Sequence, residues 1–323
     1  MSLAFRFKNI QSYFSFFTLT KAYYKCRKHK RLKSSTANFE YEMEKNIIEI
    51  EKELVLQTYK SSSFSVFVVT EPKTREVFAA EFKDRVVHHL LTDYLQPYFE
   101  PKFIHHSYAC RNEKGTHMAV KSLGKLIKKI TKNNTQKAYY LQADVKSFFP
   151  SINHNILFNL IKNKVKNPYF IWLTQNIIYF DCTINPTKKG QLSLFAKVPP
   201  HKSLFTVPKG KGLPIGNLTS QFFANVYLNE LDQFVKHKLK CKYYIRYVDD
   251  FIIMSQNKNE LFVIKHKIET FLHEKLDLEL HPNKWKVEDV RNGIDTLGYI
   301  TKPNYKLVRK RVIKSLNRKL FEK

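Results

Sequence analysis

The stretch Lys242-Tyr-Tyr-Ile-Arg-Tyr-Val-Asp-Asp-Phe-Ile-Ile-Met-Ser255 sets two adjacent carboxylates, Asp249 and Asp250, between two apolar runs. Aromatic and β-branched content reads Lys242–Tyr247 and Phe251–Ser255 as strands, with Val248-Asp249-Asp250 as the tight turn joining them. Carboxylates at the tip of an apolar hairpin are costly unless cations neutralise them. In a chain with 56 Lys+Arg against 28 Asp+Glu, a net charge of +28, such an acidic point is out of place. A divalent metal is its natural partner.

Working outward, Ala138–Val145 is apolar and aromatic, reads as a buried strand, and carries a third carboxylate, Asp144, at its end. If this strand neighbours the hairpin, the three carboxylates converge. They would then hold two Mg²⁺ roughly 3.5–4 Å apart, clamping the attacking and leaving oxygens of a phosphoryl transfer. Apolar periodicity predicts helices over Asn38–Tyr59, Phe82–Leu95, Ala119–Ile130, Pro150–Lys164, Asn167–Tyr179, Asn217–Leu239, Asn259–Glu274 and Arg309–Lys323. Ser151 and Asn217 are the expected N-caps of two of them. Short strands are expected at Ser65–Val69, Glu76–Ala79, Leu276–His281, Lys286–Val290 and Thr296–Thr301, and Pro186–Pro214 reads as a Lys/Gly/Pro-rich loop region. The alternation gives an α+β fold with helices backing an antiparallel sheet.

The composition sets limits. With 323 residues, 43% hydrophobic and 14% aromatic, and only 8 Gly, the chain has material for a real core and is not disordered. No apolar run approaches the roughly 20 residues of a membrane span, and Arg6 and Lys8 interrupt the apolar start, so no membrane or secretory segment is expected and the location is taken as cytoplasmic. The four cysteines are scattered without metal-ligand spacing and read as free thiols of a reducing compartment. The charge calls for a polyanion, and nucleic acid is the leading partner. Lys21–Lys33 holds seven basic residues and no acidic one, with Tyr23 and Tyr24 interleaved, and the residues from Pro303 onward hold eight Lys/Arg against one Glu. Basic runs with aromatics suit a phosphate backbone and stacked bases.

Five ordered stretches then carry a resemblance. Leu141-Gln-Ala-Asp-Val-Lys-Ser-Phe-Phe149, Gly212-Leu-Pro-Ile-Gly-Asn-Leu-Thr-Ser-Gln221, Arg246-Tyr-Val-Asp-Asp-Phe251, Leu278-Glu-Leu-His-Pro-Asn-Lys284 and Thr296-Leu-Gly-Tyr299 follow the order of reverse transcriptase palm motifs. Upstream, Arg75, Asp84-Arg-Val-Val-His-His89 and Ser107-Tyr-Ala-Cys-Arg-Asn-Glu-Lys-Gly115 resemble the fingers motifs. The resemblance covers roughly residues 38–305 and implies a right-hand polymerase with fingers, palm and a short or truncated helical thumb.

Roles follow from it residue by residue. Asp144, Asp249 and Asp250, with the carbonyl of Val145, resemble the metal ligands, for two Mg²⁺ with Mn²⁺ as a substitute. Phe149 corresponds to the steric gate that rejects a 2′-OH. Arg75 resembles the arginine that contacts the incoming triphosphate, as suits a guanidinium fork. Lys284 resembles the lysine that protonates leaving pyrophosphate. Ile215, Gly216 and Gln221 belong to the nucleotide-binding loop, and Leu297, Gly298 and Tyr299 to the primer-gripping turn.

The loop departs from the commoner family pattern, which has Gln before the Gly and ends in Ser-Pro, by carrying Ile215 and Gln221 at those places. This form is similar to reverse transcriptases of diversity-generating retroelements, which copy a template-repeat RNA into cDNA with errors at adenines. Implied partners are template RNA, the cDNA or primer, deoxynucleoside triphosphates and a small basic oligomeric accessory protein, the accessory variability determinant, in a bacterial, archaeal or phage-encoded setting. The alternatives are a retron, group II intron or phage-defence reverse transcriptase, or a non-catalytic RNA-binding scaffold. The expected divisions are a basic N-terminal extension and helix (1–60), fingers (61–137), a first palm segment (138–153), a fingers/palm insertion (154–215), the main palm (216–305) and a rudimentary thumb helix (306–323).

Overall fold

A computed structural model describes residues 10–71 and 73–321. The strands are β1 (Ser65–Val69), β2 (Arg75–Ala79), β3 (Tyr139–Val145), β4 (Thr187–Lys188), β5 (Tyr243–Tyr247), β6 (Asp250–Ser255), β7 (Leu280–Asp289), β8 (Ile294–Thr296), β9 (Tyr299–Thr301) and β10 (Lys306–Val308). The helices are α1 (Phe16–Arg27), α2 (Ser34–Tyr41), α3 (Met43–Val55), α4 (Phe82–Phe99), α5 (Thr116–Ile130), α6 (Phe148–Ser151), α7 (His154–Lys162), α8 (Pro168–Ile178), α9 (Leu218–Gln233), α10 (Lys258–Leu276) and α11 (Lys310–Phe321). The chain divides into two units, Met1–Lys102 with Phe149–Val226, and Phe103–Phe148 with Tyr227–Lys323. Among the described residues no helix is long and apolar enough to cross a membrane.

The first unit packs α1, α3 and α4 together, with a small sheet in the order β2-β1-β4. β1 and β2 pair antiparallel, and the two residues of β4 add in parallel to β1. Much of the basic run at Lys21–Lys33 lies on α1 and the turns after it. Part of its charge is balanced locally, by Lys25 to Asp93 and by Arg27 and Arg31 to Glu40. Glu76 of β2 is buried and accepts from the Ser203 hydroxyl at 2.7 Å and the Leu204 N–H at 3.0 Å, both in the loop region after β4. A carboxylate that strand β2 turns inward therefore fixes part of the loop region expected over Pro186–Pro214.

The second unit is built on a four-stranded antiparallel sheet in the order β5-β6-β3-β7, with α5 and α10 packed beside it and a small β8-β9-β10 meander. Its core joins Leu123, Ile127 and Ile130 of α5 to Tyr140, Ile245, Ile252 and Met254 of the sheet. The two strands expected at Leu276–His281 and Lys286–Val290 are one ten-residue strand, β7, whose register slips against β3 between Ala143 and Val145. Pro282, which lacks an N–H, falls in that slip, so the sequence pattern reads as a break.

Three local expectations are corrected. Asn153, not Ser151, caps α7, accepting from the N–H groups of Asn155 and Ile156. The Asn217 side chain is engaged by the backbone of Phe78 and Ala80 rather than by the start of α9. The long helix expected to Leu239 is α-helical only to Gln233 and continues as a π-turn over Phe234–Lys238. The last two residues of the expected terminal helix, 322 and 323, lie outside the described residues, as do Arg6 and Lys8.

Candidate active site

β3 and β6 pair in the register Ala143↔Phe251, so the next step along both strands sets Asp144 beside Asp250, with Asp249 in the adjoining turn. The Asp249 carboxyl shares a hydrogen bond with Asp144 and is pushed up to about 8, first by burial and then by the negative charges of Asp144 and Asp250. Asp249 therefore keeps its proton near neutral pH. β7 supplies the balancing cation. Lys284 lies in the slip of its register, and its Nζ donates to Asp144 Oδ2 at 2.8 Å.

This donor set suits a hard divalent cation: carboxylate oxygens, crowded negative charge, and an ammonium already standing against one ligand. Among the described residues no cluster of three or more His, Cys, Asp or Glu groups is gathered to hold an ion as it stands. Asp144 and Asp249 form the close pair, and Asp250 is a third charge beside it. Val145 is buried at the end of β3, its strand partner Leu280 lying on β7.

The turn that presents Asp249 is strained. Val248 has φ +55°, a left-handed conformation that a β-branched side chain rarely adopts. The Arg246 guanidinium holds its carbonyl through Nη1 at 2.8 Å. The same guanidinium makes a two-point contact to Asp232, Nε to Oδ1 at 2.8 Å and Nη2 to Oδ2 at 2.6 Å, with neither side chain exposed. Tyr244 donates its hydroxyl to Asp232 Oδ1 at 2.7 Å. The Arg246 backbone accepts from Tyr108 N–H and donates to the His106 carbonyl. Sequence reasoning passed over Asp232. A signal was there: an acid on the apolar face of a helix, between Leu228, Leu231 and Val235, and an arginine in the middle of an apolar strand.

Leu297 and Gly298 form the two-residue turn between β8 and β9, at φ +53° and +86°, with Thr296 paired to Tyr299. The Gly298 carbonyl accepts from Arg309 N–H, Arg309 pairs with Asp295, and Gln142 of β3 donates to the Asp295 carbonyl at 3.1 Å. Leu297 and Asp250 line the same small apolar depression, floored by Ala119, Leu123, Ile245 and Ile252. The Leu297–Gly298 turn and the carboxylate hairpin are therefore neighbours within this unit.

The other predicted residues lie in the first unit. The Leu213 N–H donates to the Phe149 carbonyl at 2.9 Å, and the Phe78 N–H donates to the Ile215 carbonyl at 2.8 Å. The loop 212–217 thus runs from Phe149 to the edge of β2, the strand that begins at the exposed Arg75. Asn217 fastens it, donating to the Phe78 carbonyl at 3.1 Å and accepting from Ala80 N–H at 3.4 Å. Gly216 has φ +119°, and a Cβ there would meet Val77 Cγ1 at 2.8 Å and the Phe78 carbonyl oxygen at 3.0 Å, so only glycine fits. Gln221 is exposed on the first turn of α9.

Residues 70–301 match the family model described as "Reverse transcriptase (RNA-dependent DNA polymerase)". Protein YkfC of Escherichia coli K12 is 22% identical over 271 residues, covering 74% of this chain and 64% of the relative. The group II intron-encoded protein LtrA of Lactococcus lactis is 24% identical over 289 residues, covering 70% of this chain and 44% of the relative. The chain thus spans less than two thirds of the length of either. In fold it is similar to a solved structure of apo telomerase from Candida tropicalis truncated from its C-terminal domain, with TM-score 0.57, 13% identity, and coverage of 77% of this chain and 55% of that one. The family model matches well over half of the residues, and the chain belongs to the reverse transcriptase (RNA-dependent DNA polymerase) family.

Proposed function

We propose that this chain is an RNA-directed DNA polymerase whose reacting centre is the Asp144–Asp249 pair with Asp250 and Lys284. The observation that carries the reading is the β3–β6 register, which sets Asp144 beside the Asp249–Asp250 turn inside a domain of this family, with Lys284 Nζ on Asp144 Oδ2 at 2.8 Å. In the reaction the primer 3′-OH attacks the α-phosphate of a deoxynucleoside triphosphate, and pyrophosphate leaves. Divalent metal, when bound, supplies charge neutralisation at the attacking and leaving oxygens. Asp144 and Asp249 would hold it, with the Val145 carbonyl. Lys284 stands ready to give a proton to the departing pyrophosphate, and Phe149 would meet a 2′-OH on the incoming sugar. The second unit then corresponds to the palm, and the β1–β2 sheet with the 212–217 loop to the nucleotide-binding side of the fingers.

Primer extension on an RNA template with Mg²⁺ and deoxynucleotides tests this. Extension by the wild type, lost in D249N, is expected; RNA binding without any extension would favour a silent scaffold.

We further propose template-repeat copying with adenine errors, as in diversity-generating retroelements, supported by Ile215. An aliphatic side chain can neither donate nor accept, so it supplies no hydrogen bond to hold a nascent pair in register. I215Q is expected to lower misincorporation opposite template adenine; unchanged adenine errors would reject the role. A group II intron-type enzyme is the second reading, favoured by the similarity to LtrA. A template/variable repeat pair beside the gene supports the first reading, and an intron RNA around it the second.

A further inference from the structure

We propose that Arg246 and Asp232 are positioning residues that hold the Val248-Asp249 turn in the conformation that delivers Asp249 to Asp144. The inference rests on the reading of those two carboxyls as the reacting centre. Its starting point is a mismatch. A two-residue turn with positive φ at its first position ordinarily takes glycine there, and this one has valine at φ +55°. A side chain branched at Cβ does not stay in that region unless its surroundings over-determine it.

The surroundings do so through one guanidinium. Arg246 Nη1 holds the Val248 carbonyl at 2.8 Å, and the other contacts fix the guanidinium itself, by two hydrogen bonds to Asp232 and a main chain locked between His106 and Tyr108. Tyr244 in turn orients Asp232. Nε, Nη1 and Nη2 are each aimed at a partner, and the ion pair is wholly out of solvent. Such a pair adds little net stability compared with an apolar substitute of the same size. Its geometry, one fork spanning a helix carboxylate and the turn carbonyl, is instead suited to fixing the peptide unit that precedes Asp249. Lysine, with a point charge and no fork, cannot make both contacts.

The test separates positioning from folding by rescue. In the apolar variant Y244F/D232L/R246M the whole network is removed together, so no buried charge is left without a partner. Primer extension is expected to fall about 100-fold in kcat, the scale of a misplacement of about 1 Å, with the KM for deoxynucleotide changed far less. Adding V248G, which takes positive φ without a Cβ clash, is expected to restore roughly tenfold in that background and distinctly less in the wild type. Mn²⁺ binding, followed by electron paramagnetic resonance without nucleotide, should weaken in the network variant and recover with V248G. If the apolar variant does not fold, R246K with and without V248G decides by the same rescue. Extension and Mn²⁺ binding unaffected by the network change, or no selective rescue by V248G, would overturn the inference. A wild type that fails to extend a primer would overturn the polymerase reading instead.

Discussion

The hairpins at Tyr247–Asp250 and Thr296–Tyr299 each close on a two-residue turn, yet one carries Val248-Asp249 and the other Leu297-Gly298. The second has glycine at one of its two left-handed positions, with Leu297 at φ +53° at the other, and local support from Arg309. The first lacks glycine, gathers negative charge, and relies on a buried guanidinium reaching it from the strand it closes. A turn that its own sequence specifies needs few outside contacts. A turn that holds a chemically demanding arrangement draws its stability from elsewhere in the unit. The difference is what the proposed reacting centre on the first hairpin would lead one to expect.

The largest way to sharpen that contrast is to remove a carboxyl. D144N or D249N should cut primer extension by about 10³-fold or more, roughly 4 kcal/mol of barrier. The metal-free protein should melt at the same temperature or higher, because like charges are relieved. Next comes K284M. Loss of the cation facing Asp144 is expected to lower extension by about a hundredfold, the low end of the range for one proton donor. Stability should change by less than about 1 kcal/mol, since the lysine side chain is 45% exposed.

A smaller effect concerns pH. The Asp249 carboxyl is raised from 3.8 to about 8, so between those values the folded state keeps a proton that the unfolded chain has released. That contribution to stability is full below about pH 4 and is lost as pH rises through about 8. Melting temperatures in EDTA should therefore fall more steeply from about pH 5 to about pH 9 in the wild type than in D249N, by several degrees. Saturating Mg²⁺ should flatten the wild-type curve. The smallest effect belongs to the other hairpin: G298A puts a Cβ at φ +86° within 3.4 Å of Val312, at a cost of roughly 1–2 kcal/mol in urea unfolding. Equal and large losses of chemistry from G298A and D249N would erase the distinction between the two turns.

Much of this was legible in the residues. Periodicity and turn chemistry located the β5–β6 hairpin and β3, because a buried strand reads as an apolar run whatever its neighbours are. The convergence of Asp144 on Asp249 needed the pairing β3–β6, which the ordered motifs implied and single-strand patterns do not. What stayed hidden were contacts between distant, individually unremarkable residues. Asp232 looks like one helix acid among several, Glu76 like a polar strand residue, and Asn217 like an ordinary cap. Each is buried against a partner whose position only the folded chain supplies. The slip in β7 was misread as a gap for a related reason, since Pro282 interrupts the pattern while the strand carries on past it.

Gly216 and Ile215 stand side by side under opposite constraints. No side chain fits at 216 against Val77 and Phe78, while 215 is hydrogen-bonded to β2 through its backbone carbonyl. A saturation library across the loop should therefore return a blank column at 216 and a permissive one at 215. On the role proposed for Ile215, a change of side chain there would alter copying accuracy while the backbone anchoring of the loop stays in place.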